Sequence, residues 1–253
     1  MKNIIFTLFL CLLIQGCVST STLFKLVPQT LNGQQKIYEE GVEGVISQKK
    51  ARVAIRPSAD TYSSENRPTI LVSLYGTEKP FDFSTEDIKV FVDGNPHRVF
   101  TYDELIAEIK SRHEKLIEDQ KLRYDEKTRE VAREARKSTA IQGPHPGSSD
   151  NKIIGDTSQY GYIYDLEEVA YGQSDIEGRT EKEIEAIEIE TQQTLYALYS
   201  TMLRKTTVSP NEWFSGYVTM EKIPNPSRVH EIKVIVTVAG EEHEFLLNHF
   251  KVQ

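Results

Sequence analysis

The chain has 253 residues, 38 acidic against 30 basic side chains, a formal net charge of −8 and 38% hydrophobic residues, with a mean hydropathy of −0.44 and a pI of about 5.4. That length supports one large domain or two small ones with a buried core, which excludes disorder throughout. The acid excess excludes the basic face that a phosphate-backbone binder needs, and the composition excludes collagen, multispan membrane proteins and disulfide-stapled miniproteins.

Lys2 precedes an apolar run from Ile4 to Ile14, interrupted only by Thr7. A helix crossing a bilayer needs about 20 apolar residues, so this run is too short to span and has the length of a secretory signal core. Ile14-Gln15-Gly16-Cys17 follows: an aliphatic residue, a variable one, a small one, then cysteine. This segment resembles the lipobox of bacterial lipoproteins. The resemblance implies a diacylglyceryl thioether on Cys17, cleavage after Gly16 and acylation of the new amino terminus, so residues 1–16 are expected to be a signal peptide. Each buried methylene contributes about 0.8 kcal/mol, and two or three acyl chains therefore hold firmly. Val18, rather than Asp, follows the cysteine, which by the same resemblance implies the outer membrane in a Gram-negative cell; in a Gram-positive cell it implies the outer face of the plasma membrane. The other cysteine, Cys11, lies within the signal. The mature chain is thus expected to hold no free thiol and no disulfide.

Residues 17–40 read as the lipidated cysteine and a flexible tether, being rich in Ser, Thr and Gln. Alternating or β-branched runs then predict strands at Arg52–Arg56, Thr69–Tyr75 and Ile88–Val92. Asp93-Gly94 followed by Asn95-Pro96 signals a turn, with a return strand over His97–Phe100. The period changes at Thr101, where Thr101 to Glu104 has the form of a capping box, and a helix is expected from there to about Lys137. Acid-before-base pairs four apart (Glu108 and Arg112, Asp119 and Arg123, Asp125 and Arg129) suit a helix solvated on most sides.

Gly143 to Asp150 forbids helix, and a tyrosine-rich loop is expected to follow, with Tyr160, Tyr162, Tyr164 and Tyr171. A second capping box, Thr180 to Glu183, predicts another helix with Ile184, Ile187, Leu195, Leu198, Tyr199 and Met202 on one side. In an antiparallel hairpin the acid-rich segment Glu181 to Glu190 is expected beside the basic segment Arg129 to Lys137. Strand periodicity returns at Gly216–Ile223, Glu231–Val238 and Glu242–Phe250, with a turn at Ala239-Gly240. The expected fold is α+β: an antiparallel, Ig-like β-sandwich of about seven strands (residues 41–100 and 209–253), interrupted by a long helical-hairpin insertion over 101–208.

Catalytic motifs are weak. His113-Glu114, His230-Glu231 and His243-Glu244 each lack the second histidine of a zincin, Ile117, Val234 and Leu247 standing there instead. His243 and His249 share a strand face, but six residues separate them by roughly 20 Å, too far for one ion. Ser47-Gln48-Lys49-Lys50 fits S-x-x-K without its partner motifs, Gly172 to Ile176 lacks the second glycine of a nucleophile elbow, and no phosphate-cradling glycine loop occurs. No metal or other cofactor is therefore expected. These residues point to a membrane-anchored envelope lipoprotein that is not an enzyme and acts as an interaction or scaffold protein, its helical arm meeting an envelope partner. The alternative is a cell-wall glycan-binding protein or hydrolase in which the four tyrosines form the platform.

Overall fold

The computed structural model describes residues 22–141, 158–224 and 228–252, with side chains outside 135–171. The fold is mixed α+β, built on antiparallel sheets and two long helices. Thirteen strands occur among the described residues: β1 Leu23–Gln29, β2 Gln34–Glu39, β3 Val42–Gln48, β4 Arg52–Pro57, β5 Tyr62–Ser63, β6 Thr69–Tyr75, β7 Phe81–Phe83, β8 Ile88–Val92, β9 Asn95–His97, β10 Thr206–Val208, β11 Trp213–Thr219, β12 His230–Val238 and β13 Glu241–Lys251. The helices are α1, Tyr102–Ile141, and α2, Ser158–Thr201. The chain divides into two compact units, one joining the residues up to Tyr102 to those from Thr201 onward, the other comprising Asp103–Ser200.

In the first unit a six-stranded sheet runs β5-β1-β13-β12-β8-β9, a five-stranded sheet β11-β6-β4-β3-β2, and β10 pairs with β7. Alternate residues of the two large sheets enter one core: Leu26, Val90, Ile232, Val234, Val236 and Leu247 from the first, Val45, Ile55, Ile70, Val72, Leu74 and Val218 from the second. The arrangement is sandwich-like. Each such aliphatic side chain stabilises by about 1.5–3 kcal/mol relative to exposure, and this is the force that selects one face of every strand. Three hairpins turn on two residues that both have positive φ: Glu40-Gly41, Asp93-Gly94 and Ala239-Gly240. Such turns match the twist of the strands they join, so they fix register.

Several expectations change. The segment expected to be a tether, 17–40, is strand from Leu23 onward: β1 lies between β13 and β5, and Phe24 and Leu26 are buried. Alternation of Phe24 and Leu26 with Lys25 and Val27 is the strand signal; Pro28 obscures it, although β1 accepts proline beyond the two residues that β5 covers. The return strand after Asp93-Gly94 is Asn95–His97 rather than His97–Phe100, and Pro96 lies opposite Phe91 in an edge strand. The strand expected at Gly216–Ile223 begins at Trp213 and ends at Thr219.

In the helical unit, α1 starts at Tyr102 as expected and continues to Ile141. Thr180 does not open α2. The helix already runs from Ser158, and the Thr180 hydroxyl donates to the Ile176 carbonyl four residues back at 2.8 Å. Segment 158–201 contains no proline, so nothing breaks the ladder ahead of Thr180. The early start also moves the neighbours. A Cβ built on Gly172 would lie 3.4 Å from Val131 Cγ1, so this part of α1 faces Gly172 and not the acid-rich segment 181–190. Further along, His113 Nδ1 and Thr191 Oγ1 are 2.9 Å apart.

Candidate functional site

Cys17 and residues 142–157, which include the segment Gly143 to Asp150 expected to forbid helix, lie outside the described residues. Tyr160, Tyr162, Tyr164 and Tyr171 stand on the α2 backbone, not on a loop. At 3.6 residues per turn, positions 160, 164 and 171 fall on one stripe of that helix and 162 on the opposite side, so the four do not share a face.

The chemistry-bearing groups that the fold does bring together are histidines. The β12–β13 hairpin sets His230 directly opposite His249, with ring centroids 5.9 Å apart. The sequence comparison of His243 with His249 misses this neighbour. The signal was present, since a hairpin turning on Ala239-Gly240 pairs position 230 with 249. Phe24 on β1 and Tyr62 on β5 close the cluster, their rings 5.1 and 5.9 Å from the His249 ring. His249 is 1% exposed, and neither of its ring nitrogens has a hydrogen-bond partner among the described residues. Burial, with a smaller contribution from the charge of His230, pushes its pKa down to about 4, so the ring is neutral at pH 7. Burial also pushes the Tyr62 phenol up. A cavity of about 120 Å³ adjoins this cluster, lined by Phe24, Tyr62, Ser64, Asn66, Lys222 and His249 among others.

His230 is held differently. Its Nδ1 lies 2.9 Å from Asp93 Oδ2, and the same carboxylate accepts from Arg228 Nη2 at 2.5 Å and, through Oδ1, from the Glu231 amide at 3.1 Å. The His230 hydrogen bond, helped by the Glu231 amide and the Arg228 charge, holds the Asp93 carboxyl below the usual carboxylate range. Asp93 thereby ties the β8–β9 turn to the start of β12. His243, on the same strand face as His249, pairs its Nδ1 with Ser47 Oγ at 3.0 Å across the core, and burial together with Lys49 lowers its pKa. Among the described residues no three His, Cys, Asp or Glu side chains converge as metal ligands.

Two exposed faces carry large apolar groups. Trp213, 53% exposed, stands in register with Tyr75 and Arg52 across β11, β6 and β4; the Trp213 and Tyr75 rings are 5.4 Å apart, and the Arg52 guanidinium lies 5.2 Å from the Tyr75 centroid. On α2, Ile189, Tyr196 and Tyr199 are 49%, 74% and 54% exposed. Helical geometry gathers them within an arc of roughly 80°, beside the half-buried stripe of Ile184, Ile187, Thr191, Leu195 and Leu198. Compared with known proteins, the chain matches no family model, no curated protein and no solved structure.

Proposed function

We propose that this protein is a bacterial lipoprotein, anchored through Cys17, that acts as a non-enzymatic interaction or scaffold component of the cell envelope. In this reading the first unit is an Ig-like sandwich and α1 and α2 form a helical hairpin. The antiparallel hairpin is supported by two contacts far apart along the helices, His113 with Thr191 and Val131 with Gly172. With Val18 after the cysteine, the address is the outer membrane if the cell is Gram-negative.

The observation that carries the docking role is the exposed Ile189–Tyr196–Tyr199 stripe, next to an acid-rich stretch with five Glu between residues 181 and 190. An apolar stripe rimmed by carboxylates fits a second envelope protein with an apolar groove and a basic border. The alternative, a glycan-binding protein or hydrolase, loses the loop that motivated it, because residues 160–171 are helical.

The test is purification of the acylated chain from native membranes beside the double variant Ile189→Glu and Tyr196→Glu, with circular dichroism to verify that both are folded. One defined envelope protein should accompany the unmodified chain and be lost from the variant. Equal recovery with both would overturn the docking role. Fractionation of Cys17→Ser, together with the intact mass of the original, tests the anchor: the variant should leave the membrane fraction, and the original should carry an acyl increment.

A further inference from the structure

We propose that the cavity beside His249 is a binding site for a small uncharged aromatic molecule that carries a hydroxyl group, a ligand of the phenol class. Residues far apart in the chain build it within the first unit: Phe24 from β1, Tyr62 from β5 and His249 from β13, with Pro68 just before β6 and Ile223 after β11. Hydrogen bonds to the main chain hold these walls in place. The Ser64 amide donates to the Thr22 carbonyl, the Met220 amide to the Pro68 carbonyl, and Lys222 Nζ to the Ser64 carbonyl at 3.2 Å. Phe24, Pro68, Ile223 and His249 are buried and form the floor, whereas Ser64, Asn66 and Lys222 are exposed and form the mouth.

Two observations point to a ligand. The first is size. A cavity of about 150 Å³ with apolar walls takes a molecule of the size of benzene, and the volume here is about 120 Å³, so the space suits one ring. The second is His249 itself. A neutral imidazole has one N–H donor and one acceptor nitrogen, and leaving either unmet in a protein interior is costly. Both ring nitrogens of His249 are buried and have no hydrogen-bond partner among the described residues. Since bulk water does not reach them, a partner has to arrive by way of the cavity that the ring lines.

The chemistry of the walls selects the class. A phenolic hydroxyl both donates and accepts, so it matches either tautomer of His249. The aromatic body finds Phe24 and Tyr62, whose rings already stand 5.8 Å apart in a tilted pair, and packing of this kind is favourable at centroid separations of about 4.5–7 Å. A charged group at the floor is excluded by the same burial that keeps the imidazole neutral. At the mouth, Glu65 stands between Ser64 and Asn66 in the chain and offsets the charge of Lys222, so neither an anion nor a cation is favoured there.

The test is titration of the full-length chain, its histidines labelled with nitrogen-15, with phenol, toluene and benzoate at pH 7. Phenol should saturate one site and move the ring-nitrogen resonances of His249. It should bind about tenfold more tightly than toluene, which has the same shape without the hydroxyl, and than benzoate, which is charged. His249→Phe keeps a ring in place and removes the nitrogens, and it should reduce phenol binding to the level of toluene. Nuclear Overhauser contacts from phenol to His249 and Tyr62 in the unmodified chain locate the site without any variant. Toluene or benzoate binding as tightly as phenol overturns the proposal, as does full phenol affinity in a folded His249→Phe. So does phenol that fails to saturate, or that shows no contact to His249 and Tyr62.

Discussion

His249 is the residue whose environment departs furthest from water. Its ring is buried without a hydrogen-bond partner, and its titratable surroundings are His230 on β12, Tyr62 on β5 and Lys222 behind Ser64, none of which supplies a negative charge. A neutral imidazole is tolerated there and an imidazolium is not. Its folded pKa of about 4 is below the ordinary 6.5, so between these values the unfolded chain binds the extra proton. Stability that is complete above pH 6.5 is therefore lost progressively as pH falls through that window toward 4. At 1.36 kcal/mol per pKa unit the loss is about 3 kcal/mol. His243, shifted in the same direction, adds to it. His249→Leu removes the buried polar atoms and this proton, so its urea midpoint should change less between about pH 7 and about pH 5 than that of the unmodified chain. An unchanged pH slope in the variant would show that His249 does not carry the effect. That His249 is apolar-facing was readable from strand alternation; that it meets His230 needed the hairpin register.

At the scale of elements, two glycines make opposite predictions. Gly216 in β11 lies under the chain that leaves α2: a Cβ there would come 2.7 Å from Leu203 Cα and 3.0 Å from its nitrogen, while the Leu203 amide donates to the Tyr217 carbonyl. Backbone, not a flexible side-chain end, occupies the space. Gly216→Ala should destabilise by about 1–3 kcal/mol, through displacement of residues 202 and 203 from the strand. Gly178 lies within α2, and a methyl group added there would meet nothing within 4 Å. Gly178→Ala should stabilise by about 0.5–1 kcal/mol, because alanine loses less backbone entropy in a helix. Urea midpoints of the pair give the sign of each. Sequence pattern located β6, β8 and the start of α1 without error, since their periodicity is local. It failed at Thr180, where a hydroxyl and a glutamate three residues on have the form of a cap, but the helix already runs from Ser158 and the hydroxyl donates to the Ile176 carbonyl.

For the whole molecule, the central fact is that the first unit is assembled from both ends of the chain. The six-stranded sheet places β13 and β12 between β1 and β5 on one side and β8 and β9 on the other, so the two pairs from before the helices are joined only through strands that follow the helices. A chain truncated after Lys205 lacks β10–β13 and leaves β1 and β8 without the ladders that hold them. It should lose the near-ultraviolet dichroism of packed aromatics, and retention of that signal would contradict the pairing. The sequence by itself determined where most strands lie, two of the three hairpin turns and the helical stretch that separates the two β segments, because alternation and turn residues act over a few neighbouring positions. Only the tertiary structure decided that Leu23–Gln29 and Gln34–Glu39 are strands rather than tether, that α2 begins at Ser158, and that His230 and His249 meet. The pairings depend on partners far along the chain: β1 becomes a strand because β13 offers it a ladder and a core to fill, which the short alternation of Phe24 and Leu26 does not record by itself.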